Sequence, residues 1–143
     1  MPEVSYIAII VAGIGSYALG GLWYSPWFFG KVWQREAGVT DEQIKTGNMA
    51  KIFGLSFVLA LLAAWNFGNF LGPRPSLALG LGAGASAGLL WVAGSFGINY
   101  LFERKSLKLF LINGGYHTLQ FAIIGLVLAL MPCKDCAMAP CPA

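Results

Sequence analysis

Residues 4–24, 52–71, 77–102 and 109–131 contain no Asp, Glu, Lys or Arg. Each stretch reaches the roughly 20 residues that an α-helix needs to cross the hydrocarbon of a bilayer. In that solvent the backbone must satisfy its own hydrogen bonds, and at this segment length a helix is the structure that does so. A buried helix of a water-soluble protein runs shorter and keeps a polar stripe. With 57% apolar and only 10% charged residues, the chain also lacks the polar side chains that would cover a soluble domain. The sequence therefore predicts an all-α fold, an integral membrane four-helix bundle of two hairpins over residues 1–131, with a tail at 132–143 that holds every Cys. A cleaved signal peptide at the first stretch would need a basic segment ahead of it, and only Glu3 stands there.

The charges fall in the connections and set an orientation. Lys31, Arg35, Lys45 and Lys51 lie between the first and second stretches, and Arg104, Lys105 and Lys108 between the third and fourth. Against these seven stand Arg74, in the turn at 72–76, and Lys134 in the tail. Basic loops stay in the cytoplasm, so both termini are expected outside. The net charge of +3 is thereby a topology signal. It calls for a lipid bilayer as partner and no nucleic acid.

Local patterns refine this picture. Trp23, Tyr24, Trp27 and Trp33 follow the first stretch, interrupted by Pro26 and Gly30. Such rings favour the headgroup region, which predicts an interfacial anchor with a short helix lying on the surface. Thr40-Asp41-Glu42-Gln43 matches a capping box and starts a helix that can continue into the second span, with Gly47 and Asn48 as kink points. Pro73 and Pro75 make the second connection a tight turn, so the second and third spans are expected to be antiparallel neighbours. Small residues recur at every fourth position as Ala8, Ala12, Ser16 and Gly20, and again as Gly80, Gly84 and Gly88. These are faces along which helix backbones approach closely, within one chain or between subunits.

Two groups of residues could carry chemistry. Asn113, His117 and Gln120 share one face of the fourth span, with Tyr116 adjacent. Counted from the turn that joins the two spans, Asn99 of the third lies at the depth of Asn113. Uncompensated polar groups are costly in hydrocarbon, so this level must face inward or face a partner. It reads either as a polar pocket for a quinone-like headgroup, an ion or a haem, or as interhelical hydrogen bonding that fixes helix rotation. The tail supplies Cys133, Cys136 and Cys141. In an oxidising compartment two of them can pair as a disulfide. Together with Met131 and Met138 they also form a soft donor set for Cu or Zn. No other cofactor is expected.

Gly21-Leu22-Trp23-Tyr24-Ser25-Pro26, then Phe29-Gly30-Lys31 and Trp33, and downstream Tyr100, Glu103-Arg104-Lys105-Ser106, Phe110, Asn113 and Gly115-Tyr116-His117, resemble the bacterial membrane-protein family catalogued as domain of unknown function seventeen-sixty-one. The resemblance covers about the first 130 residues and implies four spanning helices, no established activity and no assigned catalytic residues; the expected place is the bacterial cytoplasmic membrane. The tail is not part of it. No nucleophile with a base and no membrane-embedded carboxylate occurs in the spans. The expected function is thus that of a small non-enzymatic accessory or assembly subunit that docks on other membrane subunits or on itself. The alternatives are a small oligomeric transporter or channel lined by Asn99, Asn113, His117 and Gln120, and a metal-handling protein that uses the tail.

Overall fold

The computed structural model describes residues 4–133, and among them every regular element is helical. Four helices are long and apolar enough to cross a membrane: Tyr6–Trp23, Met49–Leu71, Leu77–Phe102 and Leu107–Leu130. Each begins on a small polar residue whose side chain accepts a backbone N–H of the first turn. Ser5 caps Ala8, Asn48 caps Lys51, Ser76 caps Leu79 and Ser106 caps Leu109, at 3.0–3.3 Å. The opening N–H groups of a helix have no partner within it, and near lipid such caps supply one.

Two short helices, Gly30–Ala37 and Asp41–Thr46, lie between the first and second spans. Gly38 ends the former in the left-handed region at φ 73°, where a glycine carries no Cβ penalty. The latter opens on the expected capping box: Thr40 accepts from the Gln43 N–H at 3.2 Å and donates its own N–H to the Gln43 side chain at 2.9 Å. This helix does not continue into the second span. It stops at Gly47, and Asn48 caps a new helix, so the two suspected kink points form a complete break.

The fourth span is the hub. The third packs along it, the first packs between it and the second, and the second leans mainly on the first. Ala8, Ile9, Ala12, Ala64, Phe67, Ala87, Ile124 and Leu128 form the buried core. The second and third spans are therefore weaker neighbours than their short turn suggests; an edge-on contact of Phe70 with Trp91, centroids 6.2 Å apart, links them. A turn fixes where two helices are joined, while side-chain size decides which pair closes up. Here the pair with facing glycines does so.

That closure is built from the small-residue ladder of the third span. A Cβ on Gly80 would strike the carbonyl of Gly125, one on Gly84 the carbonyl of Phe121, and one on Gly88 would lie 2.5 Å from the carbonyl of His117. The partners descend as the ladder ascends, as antiparallel helices require. Beyond Gly88 an unbroken α-helix would present Val92 and Phe96, too bulky for this gap. Instead Ala87–Ala93 is π-helical, which adds a residue to the turn and brings Ala93 and Gly97 onto the same face. Ala93 is 1% exposed and packs on Gly114, and Gly97 receives the Phe110 ring. The ladder of the first span is also used within the chain: Ala8, Ala12 and Ser16 are fully buried, and Gly20 makes room for the Tyr116 ring.

Candidate functional site

The end of the first span is folded back by a compact turn. The Phe28 and Gly30 N–H groups both donate to the Ser25 carbonyl, at 3.1 and 2.9 Å, and the Phe29 N–H donates to that of Trp23 at 3.1 Å. Gly30 is required here, because a Cβ would overlap the Tyr24 carbonyl and lie 2.7 Å from that of Ser25. The turn aims Trp23 and Tyr24 at the fourth span. Trp23 Nε1 donates to the Ile112 carbonyl at 3.0 Å, over the gap left by Gly115, whose Cβ position is 3.3 Å from the indole.

Asn113 is the centre of the site. It is 9% exposed, and both ends of its amide are used. Tyr24 donates its hydroxyl to Oδ1 at 2.9 Å, and Nδ2 donates to the Tyr100 hydroxyl at 2.7 Å. One side chain therefore ties the first, third and fourth spans together at one level. The Tyr24 ring stands edge-on to Tyr116 at 5.2 Å and to Trp33 at 5.6 Å. Tyr116 reaches back to the Ser16 carbonyl at 3.5 Å.

His117 and Gln120 form a second pair one turn deeper. Nδ1 and the Gln120 Oε1 lie 2.8 Å apart. Because that oxygen only accepts, Nδ1 is the donor of this bond. The imidazole stacks on Phe96, with centroids 5.1 Å apart and planes within 14°. Gln120 is buried, as is Ser16, whose hydroxyl donates to the Ala12 carbonyl at 2.7 Å.

Of the sequence-expected cluster, Asn113, Tyr116, His117 and Gln120 are thus held together. Asn99 is not among them. It is exposed and lines a shallow groove of about 400 Å³ with Trp91, Val92, Ser95 and Phe96. Counting from the turn gives depth but not direction, and the residue that points inward at this depth is its neighbour Tyr100. Tyr24 and Tyr100 are the site residues that the polar pattern missed. Both stand at span ends at the depth of Asn113, which was the available signal. The aromatic group also divides. Trp23, Tyr24 and Trp33 are partly buried, whereas Trp27 is 95% exposed and is the outward ring.

Chemically, this arrangement is a set of mutual ties. The Tyr24, Tyr100 and Tyr116 hydroxyls, the Asn113 amide and the Trp23 indole pair with one another or with backbone carbonyls, while the buried Ser25 hydroxyl has no partner among the described residues. Among the described residues no three His, Cys, Asp or Glu side chains converge as a metal site. Cys133 has no disulfide partner among the described residues, and its backbone N–H donates to the Pro73 carbonyl at 3.2 Å. Cys136, Cys141 and Met138, needed for either tail reading, lie outside the described residues.

The residues that carry the family resemblance are largely those of this site: Trp23, Tyr24, Gly30, Trp33, Tyr100, Asn113, Gly115, Tyr116 and His117. No curated protein and no solved structure matches the chain. A family model described as "Protein of unknown function (DUF1761)" matches residues 7–129, from the first span to the last turn of the fourth and across the whole site, and the chain accordingly belongs to that family.

Proposed function

We propose that this protein is a small non-enzymatic subunit of a larger complex in the bacterial cytoplasmic membrane, with both termini outside. The orientation is supported by the seven basic residues in the first and third connections, against Arg74 in the second and Lys134 in the tail. The observation that carries the functional reading is the use of Asn113. Asn113, a buried amide, uses both its oxygen and its nitrogen to join three spans, which is the work of a scaffold. Backbone contact along the Gly80, Gly84 and Gly88 ladder also supports a closed protomer over a channel through it. Because both small-residue ladders are used inside the chain, docking falls to the outward apolar faces of the spans, of which the second is the least buried.

Extraction in a mild detergent followed by mass spectrometry tests this. The expected result is a stoichiometric complex with one or more other membrane proteins. Recovery of copies of this chain alone would overturn the reading.

A further inference from the structure

The second span is the least buried of the four, and its free side is ordered. Ala60, Ala64, Phe67 and Gly68 are its buried residues. Ile52, Leu55, Leu59 and Leu62 lie on the other side, each more than half exposed, and Asn66 continues the series, also exposed. Their spacing alternates three and four residues, a heptad seam of the kind that packs two helices at a small left-handed crossing angle.

Asn66 makes this seam more than a lipid-facing surface. It lies five residues inside the end of the helix at Leu71, about 7.5 Å at 1.5 Å per residue. Nearby, Asn69 donates its amide to the Trp65 carbonyl at 2.8 Å. Asn66 has no such bond among the described residues. An unpaired amide turned to hydrocarbon is unfavourable, and a polar residue in an otherwise apolar seam also fixes register.

We infer that the second span pairs with the second span of another copy of this chain, with Asn66 opposite Asn66. Copies inserted the same way into one membrane are related by an axis along its normal. Equal positions then meet at equal depth, and two parallel helices with the same heptad seam interlock. A primary amide has both donor and acceptor, so it complements itself across that axis. A second copy therefore satisfies the amide and the seam together. The inference goes beyond the subunit reading and does not depend on it: a dimer can stand alone or sit within a larger complex.

The test uses the full chain in native membranes, with Cys133, Cys136 and Cys141 replaced by Ser. Single cysteines are placed at Leu55 or Leu62 on the seam, and at Ile98, which is equally exposed on the third span. Oxidation is expected to give a disulfide-linked dimer from Leu55→Cys and Leu62→Cys and little from Ile98→Cys. Adding Asn66→Leu, which keeps the seam apolar, should weaken the Leu62→Cys dimer at least about threefold, while Asn66→Gln retains it. Cross-linking that is equal at all three positions, or unchanged by Asn66→Leu, would overturn the inference. So would a Leu62→Cys adduct with a different protein.

Discussion

Gly84→Ala is expected to destabilise the protein by about 3 kcal/mol, the upper end for overpacking, although it adds one methyl group. The added carbon would overlap the Phe121 carbonyl. That atom belongs to a helix backbone and cannot rotate aside, so relief requires the third and fourth spans to move apart. Moving apart loosens the neighbouring contacts at Gly80 and Gly88 as well. Gly82→Ala, two residues away in the same helix, meets nothing within 4 Å. It should be neutral or stabilising by up to about 1 kcal/mol, through helix propensity alone. Denaturant titration of both variants in detergent, followed by far-ultraviolet circular dichroism, checks this. Equal midpoints would mean that the backbones are not in contact.

Asn113→Leu should have the second largest effect, about 1–3 kcal/mol. Two interhelical hydrogen bonds are lost, and the Tyr24 and Tyr100 hydroxyls are left without their partner. The loss has a local signature. Tyr24 fixes the turn that carries the Gly30–Ala37 helix, so hydrogen exchange over residues 24–37 should rise more than over the spans. Combining Asn113→Leu with Tyr24→Phe should be less than additive, because both remove the same bond. Asn99→Leu, on the outer face, should stay within about 0.5 kcal/mol of the parent. If it matched Asn113→Leu, the assignment of Asn113 as the central tie would be wrong.

Much of this architecture is legible in the chain itself. The charge-free stretches give the four spans, since at their length a helix is the structure that serves backbone groups in lipid. The capping box at Thr40 and the glycines at 80, 84 and 88 are local patterns whose physics does not depend on distant residues. The rest depends on tertiary context. The five-residue step from Gly88 to Ala93 breaks a fourfold pattern, and only the facing span shows why a π turn at that point keeps Ala93 and Gly97 on the packed side. Asn99 illustrates the same limit. Its depth followed from the turn, but its direction was set by how the third span rotates to place its glycines. Tyr24 was legible as an interfacial ring and not as a donor to Asn113, because those two residues are 89 positions apart.

The fold and its orientation require the chain to cross the bilayer four times, with its two basic connections at one end of the bundle. Single cysteines at Lys31, Ser76 and Lys105, in a background with Cys133, Cys136 and Cys141 replaced by Ser, can be labelled in intact cells with a membrane-impermeant thiol reagent. Ser76→Cys is expected to react from the outside, while Lys31→Cys and Lys105→Cys react only after the membrane is opened. Reaction of Ser76→Cys and Lys105→Cys from the same side would contradict this topology.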